Sequence, residues 1–276
     1  MTRQPNPPLL GRVALVTGVS RRQGIAFAVA RRLLAMGADL FVTHHRPHDE
    51  RQPWGADDLD SVVAELRAID PTRRVEHLGA DLADPSAPTR VVDAATAAYG
   101  HLDILAAVHA RSGGDGPLAD MTPARLDQHY AVNTRSTILL TKEFAARHDG
   151  RAGGRVIWFT SGQQLGPMRD EIAYAASKAA LAGVAASVAD GLLDRGILLN
   201  VINPGPVDTG YLSPEGGSFT PEQLDGLRKS FPLGRFGEPD DVSRLVAFLV
   251  SDEGRWVVGQ VLNSEGGFRR WAVDTS

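Results

Sequence analysis

The sequence predicts a single α/β domain, a doubly wound parallel sheet of about seven strands with helices on both faces. Three observations predict it. Short apolar runs of strand length alternate with longer segments of helical spacing along the 276 residues. The short runs are near-continuous in Val, Ile and Leu, as in strands buried on both faces. The first run passes through a glycine-bearing turn straight into a helix, the start of a repeated βαβ order.

Each element follows in turn. Residues 1–10, rich in proline and polar groups, read as a flexible arm, and residues 11–276 as one domain without repeats or a dividing linker. Arg12–Thr17 is the first strand, and Ile25–Met36 a helix closed at Gly37. Asp39–Thr43 and Leu59–Ile69 form the next strand and helix, then Arg74–Leu78 and roughly Pro88–Tyr99. Asp103–Val108 leads to a long helix, Arg125–Arg147, and Arg155–Thr160 to a second one, Ile172–Asp194. Ile197–Ile202, a helix at Asp241–Val250 and a short strand at Gln260–Asn263 complete the set. Two long irregular stretches, His44–Asp58 and Thr209–Pro232, follow strands two and six, where open parallel sheets bind ligands.

Composition narrows the function. A 43% hydrophobic content supports a sizeable core, and a net charge of −4 with scattered charges offers no surface for nucleic acid or an anionic membrane. With no cysteine there is no disulfide, thiolate nucleophile or cysteine metal site, and the eight histidines lack metal-ligand spacing. The N-terminus has no signal-peptide core, and no run approaches the ~18 consecutive apolar residues of a span. A cytoplasmic protein acting on a small molecule is expected.

The first strand enters the loop Gly18 to Gly24 and then a helix beginning at Ile25. Gly18 permits the tight turn, Gly24 a close backbone approach, and the helix start offers free N–H groups to a pyrophosphate. This predicts a dinucleotide. NAD is usually recognised by an acid after the second strand, but Thr43-His44-His45-Arg46 stands here. Ser20, Arg21 and Arg22 lie in the adjacent loop, so a 2′-phosphate is favoured, and NADP(H) over NAD(H). The opposing reading makes the two arginines solvated and folds Asp49 or Glu50 back to the ribose. Asp81-Leu82 suits contacts to adenine, or Asp81 is a helix cap.

Ser161 ends the fifth strand, and Tyr174 and Lys178 follow at i, i+4 on a helix, so they share a face. A phenol beside an ammonium is expected to have a lowered pKa and to exchange protons near neutrality, while Ser161 holds the substrate oxygen.

These residues resemble the short-chain dehydrogenase/reductase family, close to 3-oxoacyl-carrier-protein reductases, over essentially Arg12 to Phe268. The landmarks stand in the family's order: the Gly18/Gly24 loop, Asp81-Leu82, Asn133, Ser161, Tyr174/Lys178 and Asn203-Pro204-Gly205 with Thr209. The resemblance implies a Rossmann-type fold and a ketoreductase that interconverts a carbonyl and a secondary alcohol. Tyr174 is then the general acid and Lys178 the ribose ligand. Ser161 polarises the carbonyl, and Asn133 holds a water of the proton relay. Pro204, Gly205 and Val207 to Thr209 face the nicotinamide, and Val108 and Ala110 border the cofactor. A homotetramer or homodimer through the two long helices is implied as well.

Three departures stand out. The glycine loop is spaced as in enoyl-acyl-carrier reductases, although the Tyr174/Lys178 spacing favours carbonyl chemistry. The expected Asn-Asn-Ala-Gly reads Ala107-Val108-His109-Ala110, which removes the asparagines that brace the sheet and raises a second reading, a non-catalytic dinucleotide sensor. An insertion carries Pro53-Trp54-Gly55. Thr209–Pro232, with a Gly-Gly hinge, is placed as a lid. His109, Arg111, Gln163, Gln164, Met168 and Tyr211 are the candidate substrate contacts.

Overall fold

A computed structural model describes residues 6–213 and 219–271. Seven strands, β1 (Val13–Val16), β2 (Asp39–His44), β3 (Val75–Gly79), β4 (Ile104–Ala107), β5 (Gly154–Phe159), β6 (Ile197–Asn203) and β7 (Val261–Asn263), form one sheet. All neighbours are parallel, in the order β3-β2-β1-β4-β5-β6-β7.

The strands read as unbroken apolar runs because alternate residues enter two different cores. Ala14 and Val16 face one core, packed by α1 (Ile25–Ala35), α3 (Leu59–Ile69) and α9 (Pro239–Val250). Val13 and Leu15 face the other, packed by α4 (Ala87–Tyr99), α6 (Ser136–Arg147) and α7 (Ile172–Leu193). Leu15 lies level with Phe41 on β2 and Leu105 on β4, so the register keeps each set on its own side. A side chain of that size contributes roughly 1.5–3 kcal/mol when fully buried. Trp158 on β5 is fully buried too, and its Nε1–H donates to Thr141 Oγ1 at 2.8 Å, so its polar tip costs little.

The chain leaves β1 toward β2 on one side and later enters β4 on the other. This reversal opens a crevice at the carboxyl ends of β1 and β4.

Both long irregular stretches hold structure. The first contains a short helix, α2 (Arg46–Asp49). The second contains α8 (Pro221–Lys229), started by a capping box between Thr220 and Gln223 with Pro221 behind it. Leu212, Leu224, Phe231 and Phe236 make a third apolar cluster there, joined by Tyr211 and Phe219. The Gly-Gly hinge lies outside the described residues.

The expected helix Arg125–Arg147 is three segments: α5 (Pro123–His129), a π-helical turn Tyr130–Arg135, and α6. Insertions of this kind re-aim side chains and concentrate at functional sites. Asn133 sits inside this one. α7 is long and apolar enough to cross a bilayer by length and composition, and only 33% of its most apolar window is buried. It nevertheless packs along β6 within the second core, with its outer side exposed.

Candidate active site

Two elements meet at the crevice. β5 ends at Phe159, so Thr160 and Ser161 emerge at its carboxyl end, and α7 presents Tyr174 and Lys178 on successive turns facing them. The Ser161 side chain approaches the Tyr174 phenol closely enough to favour its ionised form. Lys178, only 2% exposed, donates from Nζ to Phe159 O at 2.9 Å, and Nζ lies 5.7 Å from the centre of the Tyr174 ring. Thr160 Oγ1 donates to Lys178 O at 3.0 Å, which ties the strand end to this turn of the helix.

The protonation balance differs from the expectation of a lowered phenol pKa. Desolvation pushes Tyr174 up to about 12, the charge of Glu171 adds to the rise, and the Ser161 hydrogen bond opposes it. Burial brings Lys178 down to about 8. The ammonium is committed to a main-chain carbonyl and does not offset the burial of the ring. The phenol is therefore protonated at neutral pH.

The Asn133 side chain is engaged by protein groups. Its Oδ1 accepts from Arg111 N at 2.7 Å, and its Nδ2 donates to Arg111 O at 3.2 Å and Ser177 Oγ at 2.9 Å. The amide oxygen and one amide proton brace the segment after β4, and the other proton ties the π turn to α7. Arg111 turns its guanidinium to Gln128 Oε1 at 2.8 Å, away from a substrate role.

His109 is likewise a brace and not a pocket wall. The Thr17 hydroxyl lies 2.6 Å from its Nδ1, and Ser136 Oγ lies 2.7 Å from its Nε2. Ser136 commits its own proton to Val132 O, so Nε2 carries the imidazole proton and Nδ1 accepts from Thr17. Val108 N–H donates to the same Thr17 oxygen at 3.1 Å. The work of the absent asparagines is thus done by one imidazole joining the phosphate loop to the helix that follows the π turn.

Burial first, and then the charge of Lys178, lower the His109 pKa to about 3. A depressed histidine stabilises the fold above its unfolded pKa near 6.5 and loses that contribution as pH falls toward 3. Stability should therefore decline below pH ~6.5, and His109→Asn should flatten that decline. His109→Ala, which removes the imidazole that joins Thr17 to Ser136 and leaves a cavity between them, should cost about 2–4 kcal/mol in denaturant melts at pH 7.

On the dinucleotide side, Gly18 has φ +82°, and a Cβ there would come within 2.9 Å of His109 Cα. Gly24 is the N-cap of α1 and supplies no side chain, so the first amides, from Ile25 on, remain without a side-chain acceptor. Gly205 has φ +69°, and a Cβ there would strike Glu265, which holds Pro204-Gly205 close against the end of β7. Val207 bridges to Gly237.

Several nominated contacts point elsewhere. Arg22 engages Glu65 at 2.8 Å and, through its main chain, Asp57 at 2.6 Å. Arg21 donates to Thr209 O at 2.5 Å and lies over the Trp54 ring, whose centre is 6.4 Å from that of Tyr211. It therefore latches the Trp54 insertion and the Tyr211 loop together. Asp49 does fold back, but onto Ser20 Oγ at 2.5 Å. His44 pairs with His77 at 3.3 Å. Asp81 caps its own turn by accepting from Ala83 N at 2.9 Å, and the Leu82 side chain is buried in the second core. Ala110 is half-buried beside the Asn133 brace.

Sequence reading passed over Arg46 as a site residue. It pairs with Glu50 at 3.3 Å, but its Nε is buried without a partner among the described residues. It also missed Asp115, whose two oxygens accept from Ala173 N at 3.0 Å and Tyr174 N at 2.7 Å. The only local signal for Asp115 is its place among glycines.

A cavity of about 470 Å³ opens beside Leu165, Phe268, Arg270 and Trp271, at the outer side of the 161–171 loop. A second, of about 210 Å³, is lined by Pro204, Val207 and Phe231. Gln163 donates to Thr160 Oγ1 at 3.0 Å, and Met168 is half-buried in the same loop. Neither lines those cavities, nor does Gln164.

Comparisons with known proteins agree with this architecture. A family model described as enoyl-(acyl carrier protein) reductase matches residues 18–269. The uncharacterized oxidoreductase YjdA of Bacillus subtilis is 37% identical, covering 94% of this chain and 97% of its own. Versicolorin reductase stcU of Emericella nidulans is 34% identical over 97% and 99% of the two chains. A short chain dehydrogenase from Burkholderia cenocepacia, solved in complex with NADP, superposes with a TM-score of 0.78 at 35% identity, covering 94% and 98%. Likeness over nearly the whole chain, together with the strand order, makes this protein a member of the short-chain dehydrogenase/reductase family, an NAD(P)-dependent oxidoreductase.

Proposed function

We propose that the chain reduces the carbonyl of a small-molecule ketone to a secondary alcohol with NADPH. The observation that carries this reading is the convergence of Ser161 and the Tyr174 phenol beside the buried Lys178 side chain.

The residues present fit a dinucleotide. The start of α1 has no side-chain cap, which leaves its first amides for a pyrophosphate. Lys178 has three protons and, among the described residues, one acceptor, Phe159 O, so two protons remain for ribose hydroxyls. The orphaned Nε of Arg46, after β2, suits a 2′-phosphate. The Burkholderia neighbour's NADP supports the same choice.

When bound, the dinucleotide supplies the hydride to the carbonyl carbon. Ser161 holds the carbonyl oxygen, and Tyr174, already protonated, delivers its proton to that oxygen as negative charge develops there. Lys178 keeps a positive charge near both. Asn133 acts at one remove, by bracing the segment that borders the crevice.

Two other readings are weaker. Enoyl reduction agrees with the description of the matching family model, but Tyr174, Lys178 and Ser161 converge as carbonyl reduction requires. A silent sensor was suggested by the altered Ala107–Ala110 segment, and His109 replaces the missing brace there. NADPH oxidation with a panel of ketones, 3-oxoacyl thioesters and enoyl thioesters separates the three. Turnover of ketones supports the proposal; turnover of enoyl thioesters alone, or of nothing, refutes it.

The cofactor choice has its own test. Arg46→Ala should weaken NADPH binding ~10-fold in fluorescence titrations and leave NADH unchanged, since one charge-assisted contact is lost. Equal weakening of both would remove Arg46 from the 2′-phosphate.

A further inference from the structure

We infer that Asp115 is a positioning residue for the proton transfer: its carboxylate fixes the first turn of α7, and with it Tyr174, opposite Ser161. The inference rests on the proposal that Tyr174 is the proton donor.

A helix begins with amides that have no partner within it. In α7 the N-cap residue, Glu171, offers no side-chain acceptor. The first intrahelical bond is Ala175 N–H to Glu171 O at 2.9 Å. The three preceding amides all go to one remote dipeptide. Ile172 N–H donates to Gly116 O at 3.3 Å, Ala173 N–H to Asp115 Oδ1 at 3.0 Å, and Tyr174 N–H to Asp115 Oδ2 at 2.7 Å. The shortest of these bonds is made by the tyrosine itself. A carboxylate at this end also complements the helix dipole.

Asp115 is itself held. Its Oδ1 accepts from Gly116 N at 2.8 Å, which restricts the side-chain rotamer. Gly113 and Gly114 both have positive φ, +75° and +66°, and turn the chain so that the next residue meets the helix. Upstream, Asn133 grips Arg111 by its N–H and its C=O. The segment 111–116 is thus a strut, fastened to the π turn at one end and to Tyr174 at the other. By contrast, the direct link between Ser161 and α7 is the loop 162–171, which contains only a short 3₁₀ turn, Gly162–Gln164. The strut therefore fixes the first turn of α7, while the bonds of Lys178 to Thr160 and Phe159 hold the next turn to the strand end, and together they set the distance between phenol and hydroxyl.

Proton transfer requires heavy atoms within ordinary hydrogen-bond reach, and a ~1 Å misplacement costs ~100-fold in rate. Asp115 does not touch the dinucleotide loop, so its loss should fall on chemistry and not on cofactor affinity.

The test compares wild type, Asp115→Ala, Asp115→Asn and Tyr174→Phe. In Asp115→Ala, kcat is expected to fall ~100-fold with NADPH Kd unchanged. The isotope effects from NADPH deuterated on the transferred hydrogen and from D₂O should rise, because chemistry becomes limiting. Asp115→Asn keeps one acceptor oxygen and should recover part of the rate. Should Asp115→Ala not fold, Asp115→Asn decides alone: a loss confined to kcat supports the strut, and an unchanged kcat overturns it. Wild-type kcat in Asp115→Ala overturns the inference, as does a loss that only tracks the unfolded fraction at the assay temperature. If Tyr174→Phe is inactive while Asp115→Ala is normal, the inference alone fails. If Tyr174→Phe keeps full turnover, the proton-donor reading fails and takes the inference with it.

Discussion

Tyr174→Phe should lower ketone reduction by roughly 10³–10⁴-fold and leave NADPH binding as it is. The substitution removes one oxygen and keeps the ring, so packing against the Lys178 turn survives. Ser161 can still hold the carbonyl oxygen, but no proton donor remains beside it, and the developing alkoxide would have to draw on water. Steady-state kinetics and a fluorescence titration of NADPH separate the two effects. The pH profiles add a sign. A phenol held up to about 12 is protonated throughout the neutral range, so reduction should be independent of Tyr174 titration there. Alcohol oxidation needs the phenolate, so its rate should climb about tenfold per pH unit through the alkaline range, and Tyr174→Phe should abolish that climb. A variant that oxidises alcohols with the wild-type pH dependence would transfer the acid–base role to another group.

Much of the fold was legible in the sequence because burial on both faces writes Val, Ile and Leu into every strand, and because βαβ order admits few topologies. Tyr174 and Lys178 were legible for a local reason: an i, i+4 pair on one helix must share a face. What escaped was set by partners distant in the chain. His109 reads as an intruder where asparagines are expected, until Thr17, 92 residues away, is seen hydrogen-bonded to it. Arg21 reads as a phosphate ligand, but its acceptor, Thr209 O, lies 188 residues on. Asp115 caps a helix 58 residues later. The π turn at Tyr130–Arg135 has no compositional mark, because helical spacing continues through it and only the hydrogen-bond pattern shifts. The phenol's raised pKa escaped for a further reason. Adjacency of Tyr174 and Lys178 predicts attraction, yet burial acts on both groups at once and outweighs it.

That same burial predicts an uncommon outcome for Lys178→Met: reduction falls by at least ~10³-fold, while the cofactor-free protein unfolds no more easily than wild type. The ammonium is almost fully buried with one hydrogen-bond acceptor, and its pKa is brought down to about 8 from an ordinary 10.5. A depressed lysine means that the charged form is disfavoured in the fold. Below pH 8 both the folded and the unfolded chain carry the proton, and the fold bears the full cost, about 3 kcal/mol at most. As pH rises from about 8 to 10.5, the folded chain sheds the proton first and the cost disappears, so wild-type stability should rise across that window from this group. Methionine has similar length and no charge. It removes the cost at pH 7, and leaving Phe159 O unpaired returns about 1–3 kcal/mol of it. The net shift in Tm should lie between zero and a few degrees upward, and the alkaline rise in stability should vanish. Activity is lost because the ribose loses its donor and the reacting oxygen its nearby positive charge. A Tm lowered by more than ~5 °C at pH 7 would mean that the ammonium supports the fold, and that burial is not what depresses it.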